Sequence, residues 1–174
     1  YNRPMSSIRQ ILWDTLIFVA VIGTILFLYQ LYGGNILNYL FGEPRQTIFI
    51  DDLSIQVSYA DTPDERQQGL SGVSSLRDRE GKLFFFDQEG YYYMWMKDMK
   101  IPLDIFWINN DLKVVHIEEN VRPENFPARY TSTEPARFVL EMNAFFAQEH
   151  NISVGSLVTI PAADLPTDLR QSLQ

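Results

Sequence analysis

The hydrophobic positions at the start of the chain form one continuous run from Ile11 to Tyr32, in which Asp14 is the only charge. A helix of these 22 residues spans about 33 Å, close to the roughly 30 Å of a bilayer's hydrocarbon core. Trp13 and Tyr29 lie near the two ends of the run, where aromatic side chains collect at membrane surfaces. Since a buried core helix is seldom apolar on every face, the pattern predicts a transmembrane helix.

Charge predicts the orientation of this helix. Arg3 and Arg9 precede the run, whereas the first basic residue after it is Arg45. Basic residues prefer the cytoplasmic side, and no small-residue cleavage site follows the run. We therefore expect an uncleaved signal anchor with a cytoplasmic N-terminus and an extracytoplasmic domain. The expected divisions are a cytoplasmic segment 1–10, a transmembrane helix 11–32, a juxtamembrane linker 33–46, a β domain 47–160 and a polar C-terminal tail 161–174.

Beyond residue 46 the pattern has the two-residue period of strands. Leu53, Ile55, Val57 and Tyr59 alternate with polar residues, which predicts a half-buried strand whose hairpin partner is the preceding apolar run. Residues 62–65 (Thr-Pro-Asp-Glu) form a capping box with proline at the first helical position, and they predict a short helix.

Further strands and turns fill the rest of the domain. Aromatic and β-branched residues are concentrated in short runs that predict strands at 83–86, 91–96, 104–108, 137–142 and 157–160. Residues 109–111 predict a hairpin, and residues 144–150 predict a helix that ends at Asn151. Long βαβ repeats are lacking. The sequence therefore predicts a mainly β (α+β) domain, compact and barrel-like, with one or two short helices.

Composition excludes several classes of function. The chain has 174 residues, a net charge of −8 and no cysteine, so disulfides, zinc ribbons and thiol catalysis are excluded. The acidic balance argues against a nucleic-acid partner. Phosphate-binding loops, nucleophile elbows and HExxH helices are missing from the sequence. His116 and His150 are the two imidazoles, and neither has metal-ligand spacing. We therefore expect no cofactor and no metal.

The candidate site is a polar cluster near Trp95. If residues 91–97 form a strand, Lys97 lies on the same face as Trp95. Asp104 and Glu141 interrupt apolar strands, so each needs a partner. The hypothesis is that Lys97, Asp104 and Glu141, with Arg66, satisfy one another. Two interpretations stay open: the ions fix strand register, or they line a pocket with the aromatic rings.

Motifs across the whole domain resemble the family called domain of unknown function 192, over roughly residues 47–160. The order A-x-T-x-x-E-R-x-x-G-L, L-F-x-F, W-M-K-x-x-x-I-P-L-D-I, Y-x-S and V-L-E carries the resemblance. These motifs stand here at Ala60 to Leu70, Leu83 to Phe86, Trp95 to Ile105, Tyr130 to Ser132 and Val139 to Glu141. Departures from the family pattern are Asp98-Met99, Ala144-Phe145 and Gly155-Ser156. The resemblance implies a mostly β, often exported domain, and it implies no established activity.

These observations leave three functional hypotheses. The first is a membrane-anchored extracytoplasmic binding or interaction module of the cell envelope, with an envelope ligand or protein as partner. The second is an envelope hydrolase in which Asp104 and Glu141 act as acid and base, which requires the carboxylates to face each other across about 5–10 Å. The third is a structural partner in a larger membrane assembly, which predicts a large exposed apolar patch.

Overall fold

A computed structural model of the protein describes residues 5–32 and 45–168, and the chain divides into two compact units at residues 44 and 45. The first unit contains helix α1, Met5–Tyr32. Its Arg9–Tyr29 stretch has a mean hydropathy of 2.4, so it is apolar and long enough to cross a membrane. The helix includes residues 5–10, which belong to the segment expected to precede it. Residues 33–44 of the linker expected at 33–46 lie outside the described residues.

Within the described residues 45–168, the second unit contains nine strands and short α-helices. In chain order they are β1 Gln46–Ile50, β2 Leu53–Ala60, α2 Pro63–Gln68, β3 Glu80–Gly90, β4 Met94–Trp95, β5 Leu103–Ile108, β6 Val114–Val121, a 3-10 turn at Pro123–Asn125, β7 Arg129–Tyr130, β8 Ala136–Asn143, α3 Phe146–His150 and β9 Val158–Thr159.

Seven of these strands form one sheet in the order β6-β5-β8-β3-β2-β1-β9, and β4 and β7 form a separate two-stranded ribbon. All pairs in the large sheet are antiparallel except β2 and β3, which are parallel. Residues 61–79, including α2, form the crossover between them. The segment around β9 also bonds the β5–β6 hairpin, through Val158 N to Leu112 O at 2.7 Å and Val114 N to Ser156 O at 2.9 Å. The sheet is thereby curled into a half-barrel, and these contacts cover edges that would otherwise be open.

Apolar side chains pack on both faces of the sheet. The inner core combines residues from β1, β2, β3, β5, β6, β8 and β9 with Phe146 and Ala147 of α3. Since strands from both ends of the sheet contribute to it, this cluster lies inside the curl. The outer core lies on the opposite face, where Met94 of the ribbon and the adjoining Met96 pack with Phe84, Ile105 and related residues.

The predicted fold class, mainly β with short helices, is confirmed. The capping box forms at α2: Glu65 N donates to Thr62 Oγ1 at 3.3 Å, and Thr62 N donates to Glu65 Oε2 at 3.0 Å. Helix α3 ends at Asn151, which adopts the predicted left-handed conformation.

One detail of the predicted domain is wrong: the strand predicted at 91–96 is regular only at Met94–Trp95. The first part of the segment expected as a polar tail at 161–174 packs against the domain, because Leu165 is buried in the inner core and Asp164 accepts a 3.0 Å hydrogen bond from the Tyr59 hydroxyl. Asp168 pairs with the buried guanidinium of Arg137 at 3.0 Å. Residues 169–174 lie outside the described residues.

Candidate functional site

Two buried ionisable side chains, Lys82 of β3 and Glu141 of β8, lie on the outer face of the sheet. They are direct cross-strand partners in the β3–β8 ladder, and only 2% and 3% of their surfaces are exposed. Alternation along each strand places Lys82 with Phe84 and Glu141 with Val139, both of the outer core. The site is therefore a pair of ionisable side chains set into an apolar surface.

Burial dominates the protonation of Glu141. Loss of water raises the pKa of its carboxyl from 4.5 to about 8, and the charge of Lys82 opposes this only in part. Burial therefore favours the neutral carboxylic acid form of Glu141. Its Oε2 is buried and has no hydrogen-bond partner among the described residues. A neutral acid of this kind both donates and accepts hydrogen bonds, so it has unused capacity for a ligand.

Glu141 forms part of a small cleft of about 50 Å³, here called the Glu141 cleft. The cleft opens between the crossover that follows β2 and the ribbon strand β4, and its lining comprises residues 66–71, residues 93–95, Phe84, Met99 and Glu141. Its volume is enough for one or two waters or a group of similar size. The arrangement therefore suits the tip of a ligand rather than a whole molecule.

Arg66 stands at the wall of this cleft, as the predicted cluster requires, but its guanidinium is held by the main chain. Its Nη1 donates to Phe85 O at 2.9 Å and to Asp61 O at 2.5 Å. The guanidinium also lies 5.5 Å from the centroid of the Phe86 ring. Arg66 thus fixes α2 against β3, and the structure brings it together with Trp95 and Glu141 in one cleft.

Lys97 does not belong to the buried cluster predicted for it. Alternation along residues 91–97 does place Lys97 with Trp95, and its Nζ lies 5.7 Å from the centroid of the indole. The side chain is, however, exposed to solvent, so it needs no carboxylate partner. Arg129, paired with Trp95 across the β4–β7 ribbon, places a second cation 5.6 Å from the same ring.

Asp104 is also not a partner of Glu141. Ile105 is the residue opposite Glu141, so the neighbouring Asp104 points to the inner face of the sheet. There its Oδ1 accepts from Asn120 N at 2.8 Å and Phe145 N at 3.1 Å, and its Oδ2 accepts from Ala147 N at 2.9 Å. Because the two carboxylates lie on opposite faces, the acid–base pair predicted for a hydrolase is not formed. Asp104 instead joins β6 to the start of α3.

Sequence reasoning missed Lys82, the residue that accompanies Glu141. One signal was available: Lys82, Phe84 and Phe86 alternate in the strongly apolar β3, which is the pattern of a lysine on a buried face. His116 of β6 is half-buried, and its ring lies 5.3 Å from that of Trp107, which is a packing contact.

One further set of polar side chains lies away from the cleft. Asp78, Glu149 and His150 each offer one ligand atom, and these atoms all lie within 4.8 Å of one another. Asp78 is also 3.9 Å from Arg79 Nε. Exposed carboxylates are common on an acidic surface, so we assign no metal to this set.

Comparison with known proteins agrees with this architecture. A crystal structure from Sinorhizobium meliloti, whose description proposes a transcription regulator, is 30% identical with a TM-score of 0.63 over 67% of this chain and 93% of that one. A protein of unknown function from Novosphingobium aromaticivorans is 26% identical with a TM-score of 0.65, over 70% of this chain and 89% of that one. No functionally curated protein matches the chain.

Fold and site together define a curled, half-barrel β domain with a small cleft on its outer face. The model of the DUF192 family, described as an uncharacterised ACR, matches residues 46–160. The chain belongs to this family, which has no known activity, and the resemblance seen in the sequence motifs is confirmed.

Proposed function

We propose that the protein is a membrane-anchored binding module of the cell envelope, and that it binds its ligand at the Glu141 cleft. The observation that supports this most strongly is the Oε2 atom of Glu141. Within residues 5–32 and 45–168 it has no hydrogen-bond partner, although it is buried in the wall of a cleft. A buried polar atom without a partner costs about 1–3 kcal/mol, which a bound ligand group recovers. Perturbed acids in clefts are frequent at functional sites.

The cleft favours binding over catalysis. A hydrolytic site of the expected kind needs a second carboxylate facing the first, and Asp104 lies on the opposite face of the sheet. Ser71 supplies the aliphatic hydroxyl in the lining of the cleft that is best suited to act as a nucleophile. Its Oγ, however, donates a hydrogen bond to Lys97 O at 2.9 Å. A neutral acid and amide side chains, by contrast, suit the recognition of an uncharged polar group.

The test of binding uses the full chain in detergent micelles, with carbon-13 in the glutamate carboxyl groups. The probe is a pool of disaccharide-peptide fragments released from bacterial cell wall. Addition of the fragments is expected to shift the carboxyl resonance of Glu141, which the Glu141→Gln variant identifies by its disappearance.

Variants at the same position separate binding from packing. Glu141→Gln keeps a donor and an acceptor, so it should still bind the fragments, whereas Glu141→Leu should lose binding about tenfold or more. Glu119→Leu changes an exposed glutamate on β6 and serves as the matched control. Equal binding by the Glu141→Leu variant and the wild-type chain would refute the proposal.

Location is tested separately. The apolar helix and the distribution of arginines support a single-pass anchor with the domain outside the cytoplasm. We expect the protein in the membrane fraction, and we expect added protease to remove the domain from spheroplasts. A domain that resists protease until the membrane is dissolved would reverse the proposed orientation.

A further inference from the structure

Three aromatic rings next to the cleft point outward from the same segment. Tyr91, Tyr93 and Trp95, here called the aromatic strip, are 57%, 63% and 38% exposed. They alternate with Tyr92, which stacks on Phe86, and with the buried Met94. Successive outward positions in an extended chain lie about 6.6–6.8 Å apart. The inward residues fix the segment to the outer core, so the outward rings form a fixed row.

The charges around Trp95 restrict what this row accepts. Lys97 and Arg129 lie 5.7 and 5.6 Å from the indole centroid. The attraction of the ring for cations is thus already used, and a cationic ligand would meet two like charges. Neutral or acidic ligands fit these charges best.

The cleft adds a second restriction, on the group that reaches Glu141. A space of about 50 Å³ accepts a hydroxyl or hydroxymethyl group and excludes a ring. A hydroxyl both donates and accepts, which matches the neutral acid of Glu141. The exposed amide of Gln67 stands at the same opening and offers further hydrogen bonds, and beside it Gln68 donates its Nε2 to Ser71 O at 3.1 Å and keeps its Oε1 as an acceptor.

A ligand with apolar C–H faces and hydroxyl-bearing edges satisfies both restrictions. Its faces would stack on the more exposed rings of Tyr91 and Tyr93 and on the uncovered part of Trp95, since aromatic π-surfaces carry partial negative charge, and one hydroxyl would enter the cleft. We propose that the aromatic strip and the Glu141 cleft together bind a saccharide chain, neutral or acidic. This inference rests on the proposed binding function and assigns it a ligand class.

The test uses the full chain in micelles and two probes, cellotetraose as the neutral saccharide and tetragalacturonate as the acidic one. Titration calorimetry measures affinity, and the indole N–H resonance of Trp95 reports contact with the strip. We expect at least one probe to bind, and we expect Trp95→Ala and Tyr93→Ala each to weaken it about tenfold, as stacking contacts do.

The matched control is Phe49→Ala, because Phe49 is an aromatic residue on β1 that is 41% exposed and lies outside the cleft lining. It should leave affinity unchanged. Tyr93→Ala removes a largely exposed ring, so it keeps the test valid if Trp95→Ala fails to fold. Failure of both probes to bind, or affinity unchanged in both strip variants, would overturn the saccharide assignment.

The two proposals fail in different ways. If cell-wall fragments shift the Glu141 carboxyl but neither tetrasaccharide binds, the saccharide assignment is wrong and the binding function stands. If no fragment and no saccharide shifts that carboxyl, both are wrong. Preference for tetragalacturonate that disappears in the Lys97→Ala/Arg129→Ala double variant would show that the acidic form is the one recognised.

Discussion

The protonation of Glu141 predicts how the stability of the domain depends on pH. The pKa of this carboxyl is about 8 in the folded protein and near its usual 4.5 when the chain unfolds. Between these two values the folded state binds the proton and the unfolded state does not. The free energy of unfolding therefore falls as pH rises through this range.

The size of the effect follows from the interval. The interval from the unfolded pKa of 4.5 to about pH 7 is some 2.5 pH units, and each unit lowers the free energy of unfolding by about 1.4 kcal/mol. At about pH 7 the expected loss of stability is therefore about 3 kcal/mol relative to acid conditions. By about pH 8 the loss is about 4 kcal/mol, and it stops growing once the folded carboxyl also ionises. Glu141→Gln removes this titration while keeping the size of the side chain.

The assay is urea unfolding of the full chain in micelles from about pH 5 to about pH 8.5, followed by the fluorescence of the buried Trp107. The difference in unfolding free energy between the wild-type chain and the Glu141→Gln variant should change by about 3–4 kcal/mol across the range. Other titrating groups are common to both proteins and cancel. Parallel curves would mean that Glu141 ionises in the folded state at its usual pH, and the assignment of a neutral acid in the cleft would be wrong.

Three further predictions concern groups that hold the fold, each measured by the same urea unfolding. Asp104→Asn leaves at least one of the three amide donors without its carboxylate acceptor and should cost about 2–4 kcal/mol; a loss below about 0.5 kcal/mol would contradict the joining role of Asp104. Gly81→Ala brings a Cβ into collision with Met142 Sδ and with the Glu141 carbonyl oxygen of β8, so we expect a loss of about 3 kcal/mol or more, and unchanged stability would disprove that close approach. Thr62→Ala removes the cap of α2 and should cost about 1 kcal/mol, whereas Thr62→Ser should restore most of it.

Local patterns were sufficient for much of this fold. Alternation identified β2, and the capping box identified the start of α2, because both signals depend only on residues close in sequence. The left-handed end of α3 at Asn151 was predicted for the same reason. These features need no knowledge of distant partners.

The partners within the site could not be predicted in this way. Glu141 was identified as a buried acid, but its neighbour depends on the pairing of β3 with β8, whose residues are far apart in sequence. Lys97 follows an apolar run and Lys82 precedes one, and only the packing of the sheet shows that Lys82 is the buried one. Asp104 was misassigned because its acceptor role depends on amides at residues 120, 145 and 147, and a sequence pattern does not show main-chain amides converging from separate loops.

The parallel pairing of β2 with β3 has a consequence for how binding preferences can diverge within this fold. Parallel neighbours require a crossover, and here that connection supplies the wall of the cleft that contains Gln67 and Gln68. Glu141, on the opposite wall of the cleft, lies on the central strand β8. The side chains around it are closely packed, so this position tolerates little change. Exposed positions of the crossover can be exchanged at small energetic cost. A relative could thus acquire a new specificity by altering the connection while the sheet beneath it stays the same.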